Sequence, residues 1–256
     1  MSSTTGAGGL FPGGAWTTRA PKTSERVARE LVNHIIGHDL AEGAKLPNEK
    51  QLVEVFDVGR TTLREALRLL ETRGVITIRS GPGGGPVVRR PRPDDLREGL
   101  TLILQFAGAS LTDVLEARAT LEPRIASLAA TRLTSNRIEE LARSVETMRD
   151  SCEDHDVFLD ENRRFHTTIA EASGSSGLWV FNETLKSIAD GAVVGVEYTP
   201  RRRLAVAEAH HKIVEALRSR DPRSAEAAMR AHVEEAGAFW GRHYPELSAR
   251  GVRWVQ

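Results

Sequence analysis

Arg90-Pro91-Arg92-Pro93 divides this chain into two stretches that cannot share one sheet or one bundle. Two prolines a residue apart fix φ and lack N–H donors, so neither helix nor sheet runs through them. Upstream lie short helical and β-type patterns; downstream, helical periodicity is the only pattern present. The expected fold class is mainly α, an N-terminal winged helix-turn-helix followed by an all-α antiparallel helical bundle. Charge divides at the same place. Residues 1–93 hold 14 Lys+Arg against 9 Asp+Glu, and the remainder holds 21 against 26. A basic head on an acidic body points to a polyanion-binding module joined to one with another task. With 256 residues, 40% hydrophobic and 27% charged, the chain suits two modest globular domains. No apolar run reaches the ~18 residues that a membrane span needs, and the glycine-rich N-terminus has no secretory pattern. The single Cys152 forms no internal disulfide, which fits a reducing, cytoplasmic setting with no membrane partner.

The expected organisation is a flexible tail over 1–21, a DNA-binding domain over 22–90, a linker over 91–94, a helical domain over 95–246 and a tail over 247–256. In the head, Ser24 is the expected N-cap of a first helix carrying Val27, Leu31 and Ile35. Asn48, with Gln51 three residues on, forms a capping box for a short second helix that Asp57-Val58-Gly59 breaks. A third helix runs from Arg60 to Arg73 with Leu63, Ala66, Leu67 and Leu70 as its buried stripe, and Gly74 ends it. Val75–Ile78 and Val87-Val88 read as short strands around the glycine-rich tip Gly81–Pro86. Arg60, Arg64 and Arg68 fall within roughly 80° of arc beside the leucine stripe, so the helix buries leucines and presents guanidiniums. Thr61 and Thr62 add hydroxyls where a phosphate sits well, at a helix N-terminus.

Leu46-Pro47-Asn48-Glu49-Lys50-Gln51-Leu52, Val58-Gly59-Arg60-Thr61-Thr62-Leu63-Arg64-Glu65-Ala66-Leu67 and Leu70–Ile76 resemble the winged-helix domain of GntR-family repressors. The resemblance implies that Arg60 and Arg64 read or clamp a palindromic double-stranded operator. It also implies that Lys50, Thr61 and Thr62 touch phosphates or base edges, and that a wing around Ser80-Gly81 enters the minor groove. The family usually has Ser or Thr where Asn48 and Gly59 stand. Asn caps equally well, whereas Gly59 lacks a hydroxyl for the DNA backbone.

Beyond Pro93 the expected helix starts or breaks are Asp94, Ser110, Ser135, Asp156, Ser176, Thr199-Pro200 and Asp221-Pro222, giving about seven helices of roughly 18 residues. Val193-Val194 reads as buried helix rather than strand. His210 and His232 stand 22 residues apart with Asp221-Pro222 midway. On helices folded back at that break, each is ~16 Å from the turn, and the two sit at one height. His166 is a third candidate, with Asn162 one turn earlier. The three are either satisfied polar histidines or a metal site with an oxygen donor; imidazole suits zinc or nickel better than magnesium or calcium.

Arg118-Ala119-Thr120-Leu121-Glu122, Asn162-Arg163-Arg164-Phe165-His166, His210 and Met229-Arg230-Ala231-His232 are similar to the FCD effector domain of the FadR subfamily, so the resemblance spans about 22–243. It implies a divalent metal held by His166, His210, His232 and the position of Asn162, where the family has Asp. It also implies that Arg118 anchors a small organic acid effector; the other reading of Arg118 is a surface salt bridge to Glu122. The function that follows is a homodimeric DNA-binding transcriptional regulator, a repressor in the first instance, governed by that effector. Two alternatives stand beside it: a metal-dependent hydrolase and a dedicated metal sensor, both using the histidine site. Against an enzyme, the chain has no HExxH pair, no Gly-x-Ser-x-Gly elbow and no phosphate-loop Gly-Lys-Ser/Thr.

Overall fold

The computed structural model describes residues 22–81, 83–190 and 195–254. The tail expected over 1–21, Pro82 in the expected glycine-rich tip, and the helix expected at Val193-Val194 lie outside the described residues. The chain forms two compact units that meet between Pro91 and Arg92.

The first unit holds α1 (Thr23–Gly37), α2 (Glu49–Phe56), α3 (Arg60–Thr72), β1 (Ile76–Arg79) and β2 (Gly85–Val88). Ser24 does not cap α1: Lys22 precedes the helix without a side-chain bond, and Ser24 is buried inside the first turn. α2 starts where local chemistry dictates. Asn48 Oδ1 accepts from the Gln51 backbone at 3.0 Å, and Gln51 Oε1 accepts from the Asn48 backbone at 2.9 Å. Asp57 closes α2 in a left-handed conformation, turning the chain into α3. α3 ends in a Schellman motif: Val75 N–H bonds Leu70 O at 2.9 Å and Gly74 N–H bonds Glu71 O at 3.0 Å. Its stripe of Leu63, Ala66, Leu67 and Leu70 packs with Val27, Leu31 and Ile35 of α1 and with Ile76 and Val88 of the hairpin. Each such buried aliphatic contributes about 1.5–3 kcal/mol of transfer free energy, enough together to fix α3 on this small scaffold.

β1 and β2 pair antiparallel with Ile76 opposite Val88 and Arg79 opposite Gly85. At the tip, Gly84 N–H bonds Gly81 O at 2.9 Å. A Cβ at Gly84 would stand 2.3 Å from the Arg79 carbonyl oxygen, so only glycine fits this turn.

In the second unit follow α4 (Pro93–Phe106), α5 (Leu111–Ala130), α6 (Ser135–Asp150), α7 (His155–Ala172), α8 (Ser176–Ile188), α9 (Pro200–Arg218), α10 (Pro222–His243) and the single turn α11 (Pro245–Ser248). Ser110, Thr199 and Asp221 cap their helices as expected, while Thr134, Asp154 and Ser175 stand where Ser135, Asp156 and Ser176 were expected. Asp94 is likewise inside the first turn of α4, whose N-cap is Arg92. Small residues of α5 (Ala126, Ala129, Ala130) let α7, α8, α9 and α10 close around it, with α6 against α7 and α9; Ile125, Leu141, Phe165, Ile213, Leu217 and Met229 fill the centre. Of the tail expected over 247–256, residues 255 and 256 lie outside the described residues, and the stretch around Val252 packs back: Val252 is buried and its N–H bonds Ala109 O, and Leu111 N–H bonds Arg250 O. Among the described residues no helix is long and apolar enough to cross a membrane.

Candidate functional site

Three helices of the second unit bring His166 (α7), His210 (α9) and His232 (α10) together in its interior. His210 Nε2 lies 3.3 Å from His232 Nε2, which lies 3.3 Å from His166 Nε2. One ring nitrogen from each is within 4.8 Å of the others, and all three residues are buried. The Asp221-Pro222 turn sets this meeting, because equal lengths of α9 and α10 separate it from the two imidazoles. Phe165 lies flat on His210, with ring centroids 3.9 Å apart and planes 6° apart.

The donor set fits a divalent metal. A separation of 3.3 Å is close to the edge of a tetrahedron with metal–nitrogen bonds of ~2.0–2.1 Å. Neutral imidazoles turning nitrogens on one another in a dry interior also need a proton or a cation between them. Burial first, then His232 and His166, holds His210 well below the ordinary histidine range. Burial and then His166 push His232 down to about 3. His210 Nδ1 is buried without a hydrogen-bond partner among the described residues. Neutral rings are the form that ligates.

A testable consequence concerns the metal-free protein. Folded His232 refuses a proton that the unfolded chain accepts below about pH 6.5. Its contribution is therefore complete above that pH and is lost as pH falls from about 6.5 toward 3, by up to ~1.4 kcal/mol per unit. Urea unfolding of chelator-stripped protein is expected to show lower stability at about pH 5.5 than at about pH 7.5, with a smaller drop in His232→Gln. Equal drops in both proteins would show that His232 is not the group responsible.

A cavity of about 80 Å³ adjoins the histidines. Asn162, His166 and His232 line it, as do Arg118, Arg163, Lys186 and Arg202 on the cationic side and Phe158, Tyr198 and Trp240 on the aromatic side. Arg118 does pair with Glu122, but not at the surface. Nε and Nη2 stand 2.8 and 2.7 Å from Glu122 Oε1, and the side chains are 15% and 2% exposed. The reason is the α5 stripe: Val114, Arg118, Glu122, Ile125, Ala126 and Ala129 share one face, so this ion pair sits on the core side. Glu122 Oε2 also lies 2.7 Å from His166 Nδ1, a short contact bent away from a linear hydrogen bond. Burial raises the Glu122 carboxyl, but Arg118 and then His166 outweigh it and hold the group well below the usual carboxylate range.

Other wall residues came with no signal in the sequence. Arg163 is bidentate to Asp190, Nε to Oδ2 at 2.6 Å and Nη2 to Oδ1 at 2.9 Å. Lys186, lowered by burial, donates to Thr167 at 2.6 Å and Glu183 at 2.8 Å. The Thr167 and Asp190 contacts span 19 and 27 residues, beyond any local pattern, while Glu183 and Lys186 stand one turn apart on α8. Glu122, expected only as a surface partner of Arg118, instead stands on the buried face of α5.

In the first unit, Lys50, Arg60, Thr61, Arg64, Ser80 and Gly81 are exposed and Thr62 is half-buried. Lys50, Arg64 and Arg68 line one groove of about 540 Å³ with Glu49, Arg79 and Gly84–Pro86 of the hairpin. Arg60, Thr61 and Thr62 occupy the first turn of α3 outside that groove lining, and Arg64 Nε is held by Glu49 Oε1 at 2.9 Å. A helix with arginines, a capped turn and a glycine-tipped hairpin beside it form a winged helix-turn-helix.

A winged helix-turn-helix on one unit and an all-helical second unit fit the class of DNA-binding transcriptional regulators. Comparison with known proteins agrees. Residues 23–84 match the family of bacterial regulatory proteins called the gntR family, and residues 113–235 match the FCD domain. Over 233 residues the chain is 29% identical to the HTH-type transcriptional repressor NanR of Salmonella newport, covering 86% of this chain and 85% of that protein. NanR of Salmonella typhi matches at the same identity, with 86% and 84% covered. The solved structure of Streptococcus agalactiae GntR is 30% identical with a TM-score of 0.66, covering 84% of this chain and 99% of that one. The chain belongs to the GntR family of DNA-binding transcriptional regulators, in the FadR-like branch that carries an FCD domain. That is a family of regulators and not of enzymes, which sets the hydrolase alternative aside.

Proposed function

We propose that this protein is a homodimeric repressor whose operator binding is controlled by a small organic acid, bound beside a divalent metal in the FCD unit. The observation that carries the reading is a cavity lined by His166, His232, Asn162 and four cationic side chains, with His210 converging on the two histidines from behind. His166, His210 and His232 would hold zinc or nickel, with Asn162 as an uncharged oxygen donor. When bound, the metal supplies a Lewis-acidic position for a carboxylate or hydroxyl oxygen. Two of the five N–H groups of Arg118 are spent on Glu122, which leaves others for an effector carboxylate. A cavity of about 80 Å³ has room for a handful of waters, which favours a compact acid.

Repression is the printed role of the NanR relatives and comes to this chain by similarity. A dimer matches a palindromic operator, and α4 offers a face for it: Leu96, Leu102, Ile103 and Phe106 fall within ~120° of arc and are exposed, Phe106 by 87%. A route from the cavity to the start of α4, next to the linker, is also available. Arg163 and Asp190 in the cavity wall join α7 to the end of α8, and Thr184 of α8 donates to Pro93 O at the first residue of α4. An effector that binds one arrangement of this route more tightly shifts the population of the paired heads, and operator affinity with it.

The experiment is a titrated gel shift on DNA flanking the protein's own coding region, with sedimentation to set the stoichiometry. Two chains per operator are expected, with release by one of a panel of small organic acids only when zinc or nickel is present. Release by metal alone would favour the dedicated metal sensor. Binding of a single chain, or release by an acid in chelator, would sink the corresponding part of the proposal.

A further inference from the structure

We infer that Glu122 is the positioning residue of the histidine centre: its carboxylate, locked by Arg118, fixes the His166 ring so that Nε2 faces His232 and His210. The inference rests on the metal reading proposed above and adds a residue that reading does not use.

A neutral imidazole has one N–H and one lone pair. An ionised carboxylate 2.7 Å from His166 Nδ1 disfavours a lone pair there even across a bent contact, so the proton belongs on Nδ1 and the lone pair on Nε2. Nε2 is the atom 3.3 Å from His232 Nε2. Glu122 has little freedom to do otherwise. It is 2% exposed, it stands on the core stripe of α5, and Arg118 grips its other oxygen with two nitrogens at 2.7 and 2.8 Å. His210 has no carboxylate at its Nδ1 among the described residues; Phe165 stacks on its ring and its Nε2 meets His232.

Charge gives Glu122 a second task. Three neutral imidazoles and the Asn162 amide bring no negative charge to a dication. The carboxylate in contact with the trio is Glu122, one step behind His166. Through that contact it supplies the anion that Asn162 lacks. Loss of such a partner typically weakens metal binding ~10–100-fold.

The test uses chelator-stripped full-length protein, titrated calorimetrically with zinc and with nickel. Glu122→Gln keeps size and a hydrogen-bond acceptor but removes the charge. It is expected to bind both metals at least ~10-fold more weakly than wild type, with an unchanged far-UV circular dichroism spectrum. Asn162→Ala is expected to lose less than Glu122→Gln. Because Glu122→Gln leaves Arg118 unpaired, Arg118→Gln/Glu122→Gln is the second variant. It removes both charges of the buried pair and is expected to show the same loss. A merely structural role would lower the melting temperature of the metal-free protein and leave the metal dissociation constant unmoved. Affinity within twofold of wild type in whichever variant folds would overturn the role of Glu122 alone. Wild type that takes up neither metal would overturn the metal reading itself, and this role with it.

Discussion

Replacing His210 by alanine is expected to abolish stoichiometric metal uptake. His210 is fully buried, and its Nε2 stands 3.3 Å from that of His232. Removal of an outer partner already costs ~10–100-fold in affinity, so loss of one of three nitrogen donors should exceed ~100-fold. The same change also removes the ring that stacks on Phe165 and leaves a cavity, a loss of about 2–5 kcal/mol in stability. Asn162→Asp separates the two effects, because it touches the donor set without emptying the core. A carboxylate there adds a charged ligand and should tighten binding, while the metal-free melting temperature stays close to wild type. Elemental analysis of the purified proteins, followed by metal titration of stripped samples, measures both. Equal metal content in wild type and His210→Ala would refute the site.

Much of this centre is legible in the chain because helix geometry is periodic. The 22-residue spacing of His210 and His232 about Asp221-Pro222 requires two antiparallel helices with the rings at one height, and α9 and α10 are those helices. The Asn48/Gln51 capping box is legible for a similar reason, since all its partners lie within four residues. Where two capping residues stand near one another the choice passes to tertiary geometry: Thr134 caps instead of Ser135, Ser175 precedes α8 instead of Ser176, and Asp154 caps two residues before Asp156. Ser24 fails as a cap because its side chain is drawn inside the first turn. Long-range pairings leave no trace of this kind. Arg163 finds Asp190 across 27 residues, and Ser110 bridges Gly251 across the whole helical unit. An Arg and a Glu at i and i+4 look like solvated filler until their helix face is counted. Arg118 and Glu122 share theirs with Val114, Ile125 and Ala129, and a charge on a buried stripe is the residue to ask about.

Arg60→Ala and Arg64→Ala are each expected to weaken operator binding by about 1–3 kcal/mol, or roughly 5–150-fold, with the fold intact. Both side chains are exposed, so their loss should change stability by no more than ~0.5 kcal/mol. The two positions differ in what surrounds them. Arg64 lines the groove between α2, α3 and the hairpin, and its Nε is held 2.9 Å from Glu49. That ion pair is exposed and adds little stability. Arg60 stands free of the groove lining, on the first turn of α3 beside Thr61 and Thr62, in the place that suits a phosphate. Arg64→Ala should therefore relax discrimination between operator and scrambled DNA. Lys50→Ala should weaken both about equally and lower the slope of log affinity against log salt by about one. Gel-shift titrations on the two duplexes at several salt concentrations distinguish these outcomes. Unchanged operator affinity in both arginine variants would remove α3 from the major groove, and parallel losses on both duplexes in Arg64→Ala would reassign that residue to the phosphate backbone.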